Sequence, residues 1–190
     1  MAQARTAYSR LRYYALRFSL VALLTYGSLY LVFYTLHLRL NTTPSQPIGL
    51  YRLSALTRAL YHGELVLFEP TAHLNNGIDL GRQRGFFGQA MIKRIIALPG
   101  DTVLYDRHQK QLQVIRRGES VPIPIANSEV FDIDSHGRPM PHLPFPKIVP
   151  EDYVFLGSNH VRGFDSRYYG CVPQASLTFH VTPFFQLVGS

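Results

Sequence analysis

The chain has no tryptophan and a single cysteine among its 190 residues. One thiol cannot build an intramolecular disulfide framework. Cys171 also stands in an apolar context (Tyr168-Tyr169-Gly170-Cys171-Val172-Pro173), which suits a core residue better than a nucleophile. No two of the eight histidines lie three or four positions apart, and no Cys/His cluster occurs. Such spacing gives no case for a metal, and no cofactor is expected. The G-x-S-x-G turn that would mark an α/β-hydrolase nucleophile is missing as well. Acidic residues are absent from the first forty positions, which carry Arg5, Arg10, Arg12, Arg17 and Arg39. Without those five arginines the formal charge of +7 falls to +2. A weakly basic remainder with no basic run interleaved with aromatics excludes a nucleic-acid reading. Lysine is the scarcest charge: Lys93, Lys110 and Lys147 stand against sixteen arginines.

Charge is absent altogether from residues 18–36 (FSLVALLTYGSLYLVFYTL). Nineteen residues at a helical rise reach about 28 Å, close to the hydrocarbon thickness of a bilayer. The run is longer than a signal-peptide core, and the bulky His37-Leu38-Arg39-Leu40 after it has no small-x-small cleavage pattern. It reads as a retained signal anchor; the competing reading is a helix buried in a soluble core. Four arginines precede it and one follows, so the positive-inside rule puts the N-terminus in the cytoplasm. The expected organisation is a basic cytoplasmic tail at 1–17, a membrane anchor at 18–36 and an extracytoplasmic domain at 41–190.

Beyond Asn41 the helical period gives way to short β-type runs punctuated by Gly, Pro, Asn and Asp. Strands are expected at 64–68, 91–98, 102–105, 111–115, 129–133, 153–156 and 177–187, with 102–115 forming a hairpin. Residues 53–60 are the one candidate for a short helix in this part. Seven prolines between 122 and 150 mark a loop or small excursion. The fold class is mainly β, with coiled or barrel-like antiparallel sheets hung from one N-terminal transmembrane helix.

Ser45 comes soon after the apolar run, which confines it to the neighbourhood of a bilayer. A serine becomes nucleophilic only when a base takes its proton. A lysine serves as that base if burial keeps it neutral, which means bringing its pKa from about 10.4 to about 7–8. Lys110 lies in a polar turn and Lys147 in a proline-rich loop, where a lysine stays hydrated. Lys93 alone lies in an apolar strand, sharing one face with Met91 and Ile95, while Ile92, Arg94 and Ile96 share the other. From pattern alone two readings stay open: a catalytic base, or a strand lysine whose amine snorkels to water.

Residues 41–51 (NTTPSQPIGLY), 93–103 (KRIIALPGDTV) and 157–170 (GSN through DSRYYG) resemble three ordered boxes of the type I signal peptidase family. The S-x-P-x-G-L-Y wording around Ser45 and the short length are similar to its conjugative-transfer branch, the TraF-like pilin maturation peptidases. The resemblance implies a signal-peptidase-like β fold and a Ser–Lys dyad, with Ser45 as nucleophile and Lys93 as general base. It implies an oxyanion site made by the Ser45 backbone amide and the Thr43 hydroxyl, and a supporting ion pair between Asp165 and Arg167. Arg94 is expected to point away from the site. Many family members carry a serine two positions before the aspartate of the third box, bonded to the lysine amine. Gly163 occupies that position here, leaving Ser158, Ser166 or a water to orient Lys93. Pro47 and Gly49 are expected to shape the chain after the nucleophile and leave an exposed edge for an extended substrate.

The function so implied is a membrane-anchored serine endopeptidase, sited in the bacterial inner membrane with its domain in the periplasm or outside. It would remove leader peptides from exported precursors, a conjugative pilin precursor above all. Expected partners are the precursor protein, membrane lipid and the conjugative transfer apparatus. Phe86-Phe87 and Phe184-Phe185 are candidates for lipid contact. A general housekeeping signal peptidase and a non-catalytic, anchored component of a conjugative secretion channel are the alternatives.

Overall fold

A computed structural model describes residues 2–70, 76–85, 90–141, 143–145 and 147–187. Contacts divide the chain into two units, Met1–Arg39 and Leu40–Ser190. The first is helix α1, Ala2–Thr35. Its sequence has no proline to interrupt the hydrogen-bond ladder. Within it, Arg12–Thr35 has a mean hydropathy of 1.6 with nothing covering it, which makes it a candidate membrane span by length and composition. The Thr25 and Thr35 hydroxyls bond back to the carbonyls of Val21 and Leu31, so neither presents an unsatisfied donor to an apolar surrounding. The helix starts well before residue 18, because the arginine-rich arm ahead of the apolar run also suits a helix. It ends where His37 turns left-handed, at φ 51°.

The second unit is built, among the described residues, on eleven strands and two short helices. They are β1 Leu38–Asn41, β2 Gly49–Ala55, β3 Leu65–Phe68, α2 Asn76–Gln83, β4 Met91–Ala97, β5 Thr102–Asp106 and β6 Gln111–Ile115. After these come β7 Ile123–Pro124, β8 Lys147–Ile148, β9 Tyr153–Gly157, α3 Ser166–Tyr169, β10 Val172–Pro173 and β11 Leu177–Gln186. A seven-stranded sheet runs in the order β1-β2-β11-β3-β4-β9-β10, and a four-stranded sheet in the order β7-β6-β5-β8. The fold is mainly β, and its pairs from β2 through β11 are antiparallel.

Strand β4 lies between β3 and β9, with Lys93 opposite Val66 and Ile95 opposite Leu156. Both its faces are covered, so Ile92, Lys93 and Ile95 are all buried. One core cluster gathers Val66, Phe68, Ile95, Leu156, Phe164 and Tyr168 on the Lys93 face. A second joins Ala97 and Phe155 to Val103, Leu112 and Val114 of the smaller sheet. Cys171 packs against this second cluster, where burial pushes its thiol pKa up, in keeping with a core role.

The turn from β4 to β5 carries the chain from one sheet to the other. Gly100 takes φ 84° there. The Asp101 carboxylate accepts from Leu98 N at 2.8 Å, Arg117 N at 2.8 Å and His62 Nε2 at 2.6 Å. Its negative charge is buried only because three donors meet it.

Several expectations are corrected. Residues 53–60 form no helix: β2 runs to Ala55 because its backbone pairs with β11 through Phe179↔Ala55. Residues 129–133 form no strand, since their backbone groups bond to side chains instead. The Glu129 carbonyl accepts from Arg167, Phe131 N donates to Tyr168 Oη, and only an isolated Ile133↔Pro139 bridge remains. Lys147 belongs to a short strand, β8, rather than to a loop. The stretch from Gly49 onward is not an exposed edge either, because β2 is flanked by β1 and β11. Gly49 is there for close approach: a Cβ would come within 2.1 Å of the Phe185 carbonyl oxygen. Phe86 and Phe87 lie outside the described residues, whereas Phe184 and Phe185 are exposed.

Replacing Asp101 by Ala leaves Leu98 and Arg117 amides without their acceptor, and is expected to destabilise the domain by about 3 kcal/mol in thermal or denaturant unfolding. Gly49→Ala is expected to lower the melting temperature through the β2–β11 clash, whereas Gly63→Ala, where a Cβ meets nothing, should cost only its left-handed φ.

Candidate active site

Ser45 sits on the loop between β1 and β2, and the residue that shapes this loop is Asn41, buried at the end of β1. Its Nδ2 donates to the carbonyls of Thr43 at 2.9 Å, Gln46 at 2.9 Å and Pro47 at 3.2 Å. Those three contacts fix which end of the amide is nitrogen. Its Oδ1 therefore accepts, and the Thr43 hydroxyl donates to it at 2.8 Å. Thr43 has only one hydroxyl proton, so in the 2.9 Å contact between Thr43 Oγ1 and Ser45 Oγ the donor is Ser45. The resting serine proton thus points along a chain from Ser45 to Thr43 to Asn41. The loop is closed on its far side by Tyr51, whose hydroxyl donates to the Pro47 carbonyl at 2.6 Å.

Lys93 is 2 % exposed, and of the three lysines it alone is buried. Its amine donates to Ser158 Oγ at 2.8 Å and to the Phe164 carbonyl at 2.9 Å. Burial lowers its pKa to about 8; the nearby Asp165 charge opposes this and Arg167 reinforces it. The amine is therefore neutral in a minor fraction of molecules at neutral pH and in about half of them near pH 8. Arg94, on the opposite face of β4, is exposed as expected.

Asp165 caps α3, accepting from Arg167 N, and faces the Arg167 guanidinium with Nε–Oδ1 at 2.7 Å and Nη2–Oδ2 at 2.8 Å. Both side chains are nearly inaccessible. The rest of the guanidinium is spent on backbone carbonyls: Glu129 at 2.6 Å, Val161 at 2.8 Å and Gly163 at 2.7 Å. The pair thus staples the 157–167 loop to the 127–129 segment and holds the floor beneath Lys93. Asp165 Oδ2 also accepts from Ser158 N at 2.9 Å.

The β9–α3 loop brings the sequence candidates into one neighbourhood. Asn159 N donates to the Ser45 carbonyl at 2.6 Å, and its chain neighbour Ser158 accepts from Lys93. Of the hydroxyls weighed for Lys93, Ser158 is the one bonded to it; Ser166 Oγ instead accepts from Leu156 N at 2.9 Å. Asn41 was not singled out as a site residue by its sequence. The signal that could have found it is an asparagine two positions before Thr43 and three before a proline, a spacing suited to side-chain bonding across a tight loop. Asn159 had no such signal, because only its backbone is used. Among the described residues no group of three or more His, Cys, Asp or Glu side chains is placed to hold a metal ion.

The family model described as signal peptidase, peptidase S26, matches residues 10–185. A conjugal transfer protein TraF of Agrobacterium fabrum strain C58 is 34 % identical over 156 residues, which cover 77 % of this chain and 81 % of the relative. A probable signal peptidase I-2 of Synechocystis is 31 % identical over 127 residues, covering 66 % of this chain and 48 % of the relative. A crystal structure of a signal peptidase I from Enterococcus faecalis V583 aligns with a TM-score of 0.41 and 24 % identity over 66 % of this chain and 98 % of that one. With the family model spanning the apolar helix and nearly all of the β domain, the chain belongs to the signal peptidase family, peptidase S26.

Proposed function

We propose that this chain is a membrane-anchored endopeptidase that removes leader segments from exported precursors by a Ser45–Lys93 dyad. The observation that carries the reading is a single buried lysine, its pKa brought down to about 8, bonded to the same dipeptide that binds the Ser45 backbone. A buried amine with no carboxylate in direct contact is costly to the fold, and a base matched to near-neutral pH is what that cost supplies.

In the acylation step Ser45 Oγ turns from Thr43 and attacks the scissile carbonyl carbon, while its proton passes to Lys93 Nζ. The tetrahedral oxyanion is held by the Ser45 amide and by Thr43, whose hydroxyl leaves Asn41 Oδ1 to donate to it. The Lys93 ammonium then protonates the departing amine, and the C–N bond breaks to leave an ester on Ser45. Water attacks that ester with Lys93 again taking the proton, which returns to Ser45 Oγ as the leader is released. Asp165 and Arg167 keep the floor rigid and touch no reacting atom.

The apolar helix α1 supports an anchor in the cytoplasmic membrane, and the arginines ahead of its apolar stretch support an outward-facing domain. Ser45 comes ten positions after the last helical residue, Thr35, so its reach from a bilayer is short. Exposed Phe184, Phe185 and Leu187 on β11 and just beyond it support contact with lipid. Similarity to conjugal transfer proteins favours a pilin precursor as substrate. Similarity to a probable signal peptidase I keeps a broader range of exported precursors as the second reading.

Membranes carrying the full chain should process a conjugative pilin precursor faster than an unrelated precursor with an Ala-x-Ala leader; equal rates would favour the broader enzyme. Ser45→Ala and Lys93→Ala are each expected to abolish processing, and retention of the parental rate by both would overturn the dyad. Thr43→Val should lower kcat by about 100-fold while Thr43→Ser stays close to the parent. Because Lys93 acts in its neutral form, the rate should rise with pH through a midpoint near 8. A midpoint near 6.5 that vanishes on changing one histidine would point to a different base.

A further inference from the structure

A neutral lysine amine has two N–H bonds and one lone pair. Lys93 Nζ meets two acceptors, Ser158 Oγ at 2.8 Å and the Phe164 carbonyl at 2.9 Å. Together they occupy both N–H bonds and leave the lone pair in the one remaining tetrahedral direction. With only the Phe164 carbonyl, the amine would turn about the Cε–Nζ bond and the lone pair would have no fixed aim. The Phe164 carbonyl comes with the backbone, whereas the second acceptor depends on one side chain.

That side chain is held from several directions. The Ser158 amide donates to Asp165 Oδ2 at 2.9 Å, and Arg167 grips the same carboxylate at both oxygens. The next residue, Asn159, donates its amide to the Ser45 carbonyl at 2.6 Å. One dipeptide therefore touches the amine of Lys93 and the backbone of Ser45 together.

Gly163 explains why the hydroxyl stands where it does. A Cβ at that position would lie 2.3 Å from Ser158 Cβ, 2.6 Å from Ser158 Oγ and 2.9 Å from the His160 carbonyl oxygen. Gly163 is not among the glycines with positive φ, so any L-residue could adopt its backbone conformation. What position 163 lacks is room: Ser158 takes most of it, and the His160 carbonyl crowds the rest.

We propose that Ser158 is a positioning residue of this site: its hydroxyl fixes the direction of the Lys93 lone pair, its peptide link to Asn159 ties that direction to Ser45, and Gly163 is bare so that Ser158 fits. This rests on the Ser45–Lys93 reading and deepens it. Ser158 touches no reacting atom of the substrate; it acts through Lys93.

The test uses full-length chain in membranes with the pilin precursor, measuring kcat and KM across pH. Ser158→Ala keeps the shape and removes the acceptor, so kcat should fall about 10- to 100-fold with KM little changed. An acceptor to the amine favours its charged form, so losing it should also move the rising limb to lower pH, by up to about one unit. A merely structural role would reduce the amount of folded protein and leave that limb in place. Parental kcat with an unmoved limb overturns the proposal. The tightest clash at position 163 is with Ser158 Cβ, so Ser158→Gly relieves it and Ser158→Ala does not; the 2.9 Å approach to the His160 carbonyl oxygen is left for a small shift of the loop. Gly163→Ser alone should be inactive, and joining it to Ser158→Gly should recover activity by returning a hydroxyl from the other side. A double variant that folds as well as the parent, by thermal melting, yet processes no better than Gly163→Ser overturns the steric part. Ser45→Ala and Lys93→Ala run beside these variants: if both are dead while Ser158→Ala is parental, only the role of Ser158 falls. If both still process precursor, the dyad itself falls.

Discussion

Burial of the Lys93 amine is the constraint to which the rest of the domain answers. An ammonium in that position would demand several acceptors or a carboxylate in contact, and it has a hydroxyl and one carbonyl. Desolvation therefore wins, and the amine sits on the edge of neutrality. Strand β4 has to be central for this to happen, covered by β3 on one side and β9 on the other, with apolar neighbours such as Ile95 and Phe164 around the amine face. The charge that opposes the effect, Asp165, is satisfied by Arg167 in a two-pronged contact. Arg167 is saturated in its turn by backbone carbonyls, and its positive charge further disfavours the Lys93 ammonium.

The Ser45 loop is organised differently, around one buried amide. Asn41 bonds three carbonyls with its nitrogen and the Thr43 hydroxyl with its oxygen. The direction of the Ser45 proton is set by that count of donors and acceptors. At rest the serine is hydrogen-bonded within its own loop rather than primed by the lysine. Under the proposed dyad, activation requires Ser45 Oγ to turn from Thr43 toward Lys93. Two local assemblies, one around Asn41 and one around Arg167, meet at the Ser158–Asn159 dipeptide. The dipeptide touches the first through the Asn159 amide on the Ser45 carbonyl and the second through the Ser158 amide on Asp165 Oδ2.

Much of this was legible in the sequence, and the reason differs from element to element. Strand β6 falls on 111–115 as expected, because alternating Leu112 and Val114 lie between clear turn signals. Residues 129–133 misled because β-type side chains do not make a strand when the backbone is claimed by Arg167 and Tyr168. Residues 53–60 misled because pairing with β11 overrides a weak helical preference. Lys93 stood out by scarcity and surroundings, and Ser45 by the boxes that carry the family resemblance. Ser158 could be named as one of several hydroxyls, but not chosen, since Ser166 is nearer in sequence to Asp165 and is spent on Leu156.

The sequence by itself determined the apolar helix, the mainly β character of the domain beyond it, and the small set of residues able to do chemistry. These depend on composition and local period, which a linear chain displays directly. Only the tertiary structure decided which hydroxyl meets the lysine, which way the serine proton points and why Gly163 must lack a side chain. Each of those rests on atoms brought close together from separate positions, and a separation of 65 positions between Lys93 and Ser158 carries no local sign of the contact.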